Sequence, residues 1–363
     1  MGTTPNFAIP YPEPTDFVAD GATQMESLAE QADASLFALG MGRNRLINGD
    51  FRIAQRGTSF VAGANNDDTY NLDRWTILSD GNDIVDITQA NVAPTGGLFS
   101  IGLDVETANK KFGIIQIIEQ RNIIGMLNQP VTLSFSARTS GTSIGNLKAV
   151  ILSWTGTADT VTSDVVSAWN ADGVTPTWAT NWTAENTPQN LAPSNTWTRY
   201  SITATLDTAN TNNVAVFIWC DDMTTTLGDF LYITDVQLEV GSLATPFERK
   251  TTSTVIQECQ RYYEKSYSAA TAIGTATETN CVVMFTVSYT GTLRAWGRWA
   301  TPKRIAPTTQ LYNTNNGGAG TITVTGWGNT IYGGDFQQDR FYAGVGTVTG
   351  TGVTFHYTAD AEM

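Results

Sequence analysis

Gly141-Thr142-Ser143-Ile144-Gly145 matches G-x-S-x-G, the spacing of a nucleophile elbow. An elbow needs a strand before the serine and a helix after it. Here LKAVILSW, residues 147–154, follows the serine and reads as another strand. The base would have to be His356, the one histidine, which lies among the last eight residues. The stretch therefore reads as a hairpin turn. One His and three Cys, at 220, 259 and 281, also exclude the usual zinc ligand sets. Two carboxylate pairs stand out, Asp67-Asp68 and Asp221-Asp222. Glycoside hydrolysis needs two carboxylates about 5 Å or about 6.5–9.5 Å apart across a cleft. Adjacent residues in loops do not supply that, so both pairs read as solvated charge. The expectation is a protein that is not an enzyme.

Binding is the positive candidate. Sugars lay their C–H faces on aromatic rings while Asn, Asp and Gln bond the hydroxyls. Of ten Trp, Trp75, Trp154 and Trp219 sit in strand patterns and read as core. Trp169, Trp178 and Trp182 lie instead in a polar connection, residues 155–196, beside Asn170, Asn181 and Asn186. A connection this long is functional or disordered. Three Trp argue against disorder, so an ordered flap is expected. Trp178 and Trp182 are four residues apart, which puts both rings on one side of a helix or of an extended strand. They form the expected carbohydrate platform, with Trp169 and Asn181 beside them. The plainer reading is that these rings pin the flap to the protein beneath. Trp296, Trp299 and Trp327 are the rival patch.

The elements that must position these residues read as β. Charged residues are 15% and hydrophobic residues 41% of 363, and Thr, Asn, Ser and Gly are plentiful. That suits an all-β protein with a polar surface, and the length suggests more than one domain. Strands are expected at 45–53, 69–77, 82–90, 98–106, 112–119, 130–138, 146–154, 197–206, 213–220 and 229–240, the spacing of a sandwich or barrel. In the last of these, Phe230, Tyr232, Val236, Leu238 and Val240 alternate, apart from Thr234, as one buried face. Trp75 reads as core, and Arg74 beside it as the partner of some carboxylate. Before the sandwich, residues 20–39 read as a helix capped by Asp20, with Met25, Leu28, Ala32, Leu36 and Leu39 as a narrow apolar stripe. Three copies packed about an axis would bury that stripe; packing on the chain's own β-domain is the alternative. Residues 1–19 hold Pro5, Pro10, Pro12 and Pro14 between Phe7, Ile9, Tyr11 and Phe17, an extended arm whose apolar side chains need a partner surface. A second helix over 250–265 opens with a Thr254/Gln257 capping box and joins the sandwich to a last β-domain, 266–363.

Several stretches resemble a known family. DVQLEVGSLATPFE, residues 235–248, is similar to the closing strand of the jelly-roll, carbohydrate-binding-module-like domain of phage tail and fibre proteins. Cys259-Gln260-Arg261-Tyr262-Tyr263 follows it as in that family, and RLINGDFRIAQRGTSF (45–60) with YNLDRW (70–75) resembles the opening half. FAIPYPEPTDFVADGA resembles the leader that attaches such fibres to the particle, and FHYTADAEM their terminus. The resemblance implies an attachment arm and oligomerising helix over 1–42, a jelly-roll β-sandwich over 43–249, a linker helix over 250–265 and a C-terminal β-domain over 266–363. It implies a structural protein of the virion, in the tail rather than the head, assembled in the host cytoplasm. Its partners would be itself, as a homotrimer, other virion proteins through the arm, and host-surface polysaccharide. It also raises a structural calcium, for which Asp50 and Asp235 stand at the implied ligand positions. Calcium wants six to eight oxygens, and Arg52, two residues after Asp50, opposes it. A glycan depolymerase and a head fibre without receptor role remain the alternatives.

A net charge of −14 argues against binding a phosphate backbone. Widely spaced Cys form no disulfide framework and fit assembly in a reducing cytosol. The first residues show neither a secretory signal nor a myristoylation motif, since Asn6 stands where Ser or Thr is wanted. No apolar run approaches the roughly 20 residues that cross a bilayer.

Overall fold

The strand Phe230–Val240 organises the fold, and its period of two breaks in the middle. Leu231 and Ile233 point into the core, and so do Val236, Leu238 and Val240. That is possible only because a bulge between Thr234 and Gln237, with Asp235 at φ 53°, inserts one residue. An extra residue exchanges the two faces of a strand. Phe230 and Tyr232 therefore point outward, half-buried, on the face opposite the one expected for them.

The computed structural model describes residues 2–3, 10–11, 21–41 and 43–363. Twelve strands build the sandwich: β1 Ser59–Phe60, β2 Thr69–Tyr70, β3 Thr76–Ser79, β4 Val85–Ala90, β5 Ser100–Val105, β6 Phe112–Ile118, β7 Pro130–Ser140, β8 Leu147–Trp154, β9 Trp182–Ala184, β10 Thr198–Thr205, β11 Asn213–Cys220 and β12 Phe230–Val240. They form two six-stranded antiparallel sheets, ordered β9-β8-β11-β6-β3-β2 and β10-β7-β12-β5-β4-β1. Val131, Leu133, Phe135 and Ala137 of β7 meet Leu147, Ala149 and Ile151 of β8 and the inward residues of β11 and β12 in one core. The chain is thus all-β, a sandwich followed by a second β unit.

Two expected strands differ in the structure. Residues 45–53 run as turns, with Asn48 and Phe51 at positive φ. They dock on the β12 bulge: Val236 N donates to Gly49 O at 2.9 Å, and a Cβ on Gly49 would lie 2.0 Å from Val236 O. Only glycine admits that approach. Asn48 accepts the Trp75 indole N–H on its carbonyl, and Phe51 packs 5.2 Å from the Trp75 ring. The expected strand 69–77 is interrupted at 71–75, where Arg74 takes φ 73°, leaving β2 and β3.

The linker helix is Thr252–Gln260, shorter than expected, and its cap is Thr251 rather than Thr254. Thr251 Oγ1 accepts from Thr254 N, so Thr254 stands inside the first turn. Tyr263–Lys265 then enters the second β unit, a seven-stranded sheet in which the long strand Arg340–Asp360 pairs with five others. Trp299, Leu311, Phe341, Phe355 and Tyr357 form its core.

The two β units are held by charge buried between aromatic rings. Arg74 pairs with Glu362 and lies 3.6 Å over the Tyr262 ring. Arg56 lies 3.7 Å over Tyr263 and pairs with Asp360 and Glu362. Burial pushes the Glu362 carboxyl up, and the two guanidinium groups oppose that shift.

The N-terminal helix is Gly21–Met41, and Gly2–Thr3 folds back antiparallel on Pro10–Tyr11. Met25 is 68% exposed and Leu28 is exposed, while Ala32 is half-buried. Phe7, Ile9, Phe17 and Asp20 lie outside the described residues, as do the side chains of Tyr11, Leu36 and Leu39. Among the described residues no helix is long and apolar enough to cross a membrane.

Candidate functional site

The flap, residues 155–196, is ordered and covers the outer face of the first sheet. Trp182 begins β9, is 5% exposed, and packs 5.2 Å from Trp154. Trp178 sits edge-on to Trp219 and Phe217, at 5.9 and 6.4 Å, and Trp169 lies 6.0 Å from Phe217. Together with Val150, Leu152 and Ala215 they form a second apolar layer outside the sandwich core. The residues between Trp178 and Trp182 are neither helical nor extended. Trp182 N donates to Ala179 O in a turn, and exposed Asn181 takes φ 70°. The rings do not form a paired outer platform. They are turned toward the sheet. Asp221 is also fully buried rather than solvated, between Lys111 and Lys148 at 2.7 Å each. These lysines hold flap carbonyls: Lys111 donates to Ala171 O and Val174 O, and Lys148 to Gly173 O.

Ser143 belongs to a tight turn. Its Oγ donates to Asp229 at 2.6 Å and accepts from Thr226 N, while Thr142 N and Ser143 N also donate to Asp229. His356 is in the other β unit, fully buried, stacked 3.8 Å from Tyr267 and bonded to Ser266. Burial lowers its pKa. In the rival patch, Trp299 is buried in the core while Trp296 and Trp327 are exposed.

Asp50 and Asp235 do not suit calcium. Arg52 Nε donates to Asp50 at 2.7 Å, and Arg249 donates to both oxygens of Asp235 at 3.1 and 3.2 Å. Two guanidinium groups already supply the positive charge, and two carboxylates fall short of the oxygens calcium requires. No cluster of metal-binding side chains occurs among the described residues.

The second sheet presents a different outer face, split by the β12 bulge. Beyond the bulge, residues 242–250 cover it: Thr245 N and Oγ1 donate to Glu239, and Arg199 bridges Ser134 Oγ and Thr245 O. Before the bulge it is open. Arg138 of β7 pairs across to Tyr232 of β12, Tyr232 to Gly102 of β5, and Gly102 to Thr88 of β4. Trp197, preceding β10, completes this row at the edge, its ring 6.5 Å from Tyr232. The next row holds Ser140, Phe230, Asp104 and Asp86. Period-two alternation places all of them on one side.

The geometry of the row follows from its smallest member. A Cβ on Gly102 would lie 3.2 Å from the Tyr232 ring and 2.9 Å from Thr88 Oγ1, so glycine lets the ring lie across the strand. Phe230 and Tyr232 are parallel to within 5°, centroids 5.3 Å apart. The Arg138 guanidinium lies 4.9 Å from the Tyr232 ring and 5.5 Å from the Trp197 ring. Across Tyr232 from Arg138, burial raises the Asp104 and Asp86 carboxyls, and Glu106 adds repulsion to both. Burial also raises the Tyr232 hydroxyl, Arg138 opposing and Asp104 assisting. Aromatic rings, a cation, carboxylates and hydroxyls thus converge on one open patch.

Sequence reasoning missed this patch. The alternation of Phe230 and Tyr232 matches that of Val236, Leu238 and Val240 and so reads as core, and the one warning in the sequence is Thr234 breaking the apolar series.

No family model matches the chain, and no curated protein matches it. Solved structures similar to it include the enzymatically active domain of bacteriophage CBA120 tailspike protein 4, at 17% identity and a TM-score of 0.34. That match covers 54% of this chain and 21% of the tailspike chain, so this chain spans about a fifth of it. A putative sugar binding protein from Bacteroides thetaiotaomicron matches at 16% identity and a TM-score of 0.33, over 55% of this chain and 100% of that one. A carbohydrate-binding module of the β-sandwich superfamily matches at 12% identity and a TM-score of 0.33, over 46% and 58% of the two chains.

Proposed function

We propose that this chain is a non-enzymatic, glycan-binding structural protein of a phage particle, a fibre or minor tail protein. The observation that carries the binding role is the open row Trp197–Arg138–Tyr232–Gly102–Thr88, with Phe230 beside it. The negative faces of Tyr232 and Trp197 suit the C–H face of a sugar ring. Asp104, Asp86 and Thr88 accept or exchange hydrogen bonds with its hydroxyls. The stretches that resemble phage fibre proteins support the particle: in this reading the leader attaches, and the helix Gly21–Met41 associates with two further copies. Exposed Met25 and Leu28 on that helix agree with a face that a homotrimer covers. Weak sites held in several copies add up, so low affinity per site is compatible with adhesion.

The test is affinity electrophoresis of the full-length protein in gels containing bacterial surface polysaccharides, beside a Trp197→Ala/Tyr232→Ala double variant. Retardation of the native protein by at least one polysaccharide, lost in the variant while its melting temperature stays within a few degrees, is the expected result. A variant retarded as strongly as the native protein rejects this face as the site.

A further inference from the structure

We propose that the saccharide taken by this face carries a carboxylate, and that Arg138 binds it. The inference rests on the glycan-binding reading above and adds the class of sugar. Arg138 lies in β7, flanked by the rings of Trp197 and Tyr232. It is half-buried, and its Nε is enclosed. Its guanidinium makes no hydrogen bond and no ion pair among the described residues. Other buried or half-buried arginines are paired, Arg52 with Asp50, Arg56 with Asp360 and Arg74 with Glu362. Arg45 shares an enclosed, unbonded Nε but has the Glu248 charge beside it and no aromatic rings flanking it among the described residues. A partly desolvated guanidinium normally finds acceptors. Arg138 has two ring faces beside it and an unfilled donor fork.

Carboxylate is the group that matches a planar fork of N–H donors, by two parallel charged hydrogen bonds. The face also sets the direction of the ligand. Asp104 and Asp86 stand on the far side of Tyr232 from Arg138, and Asp104 Oδ1 is enclosed without a partner. An anion at that end meets like charge, whereas sugar hydroxyls there are donors to carboxylates. One ring lying over Tyr232 can therefore place its carboxylate at Arg138 and its free hydroxyls at Asp104. The chain's net charge of −14 repels a long polyanion, so short oligosaccharides are the suitable probes.

Titration calorimetry on the full-length protein at low salt would compare acidic sugars with neutral counterparts. Trigalacturonate against galactotriose tests a uronic acid, and sialyllactose against lactose tests a carboxylate on a ketosidic carbon. At least one acidic member should bind about tenfold or more tighter than its counterpart, a preference that shrinks as salt screens it. Arg138→Gln should remove the preference, and Arg138→Lys, which keeps the charge without the fork, should restore part of it. Tyr232→Ala should weaken acidic and neutral sugars alike. If neutral sugars bind as well as acidic ones, lose binding in Tyr232→Ala and ignore Arg138→Gln, the carboxylate inference falls while the face stands. If no probe binds and the polysaccharide retardation also fails to depend on Trp197 and Tyr232, both fall.

Discussion

The two outer faces of the sandwich carry comparable numbers of aromatic rings and use them in opposite ways. On the first sheet, Trp154, Phe217 and Trp219 point out from the strands, and the flap answers them with Trp169, Trp178 and Trp182. Phe217 and Trp219 stack at 5.0 Å, and the flap rings meet them at an angle. On the second sheet, Phe230, Tyr232 and Trp197 point out and stay half-buried, with the Arg138 guanidinium beside the last two. What separates the faces is the company of the rings. The flap loop is fixed by buried Lys111 and Lys148, both of which pair with Asp221. Buried charges of this kind are paired and bonded because an unpaired one is costly. On the open face, Arg138 and the Asp104 side chain have unfilled bonding capacity. A ring packed by its own chain builds stability. A ring beside unpartnered polar groups is available to a ligand.

Substitutions should break this contrast in a graded way. Trp182→Ala removes a ring buried against Trp154, and should destabilise the protein by about 3–5 kcal/mol in chemical denaturation. It should leave the saccharide affinity of the open face unchanged. A loss of binding without loss of stability would reverse the assignment of the two faces.

Gly102→Ala has a smaller expected effect and the opposite profile. Its Cβ pushes on Tyr232 and Thr88, a clash that costs about 1–2 kcal/mol. Saccharide affinity should fall several-fold because the ring no longer lies across the strand. Unaltered affinity would mean that the flat Tyr232 ring is not the stacking surface.

The smallest effect concerns pH at the edge of the covered face. Burial, with repulsion from Asp164 of the flap and from Asp68, pushes the Asp67 carboxyl up to about 6, against a backbone bond from Ser79. The folded pKa is raised, so the fold binds this proton more tightly than the unfolded chain does. Its stabilising contribution is fully present below the unfolded value and is lost as pH rises through about 6. Asp67→Asn should therefore be more stable than the native protein at pH near 7.5, by under about 1 kcal/mol because the group is partly solvated. The gap should close toward pH 4, as melting temperatures across that range would register. A gap independent of pH would rule out ionisation of Asp67 as its cause.

Much was determined by the sequence alone. Alternation and turn residues specify an all-β chain, because period two is a local property that any half-buried strand displays. The reading of Gly141–Gly145 as a turn was also local, since the strands on either side leave no room for a helix. The aromatic spacing in the flap was equally visible, but not which way the rings face. That depends on a turn at 179–181 and on an apolar sheet face supplied by residues far along the chain. The partner of Arg74 was out of reach for the same reason: it is Glu362, 288 residues away. The open face was hidden by a single inserted residue. Up to Thr234 and after Val236 the pattern of β12 reads correctly in pieces, but local pattern carries no record of the register shift between them. At the bulge the backbone of Val236 docks on Gly49, nearly two hundred residues earlier in the chain. Only that tertiary contact decides which aromatic side chains enter the core and which are left facing solvent.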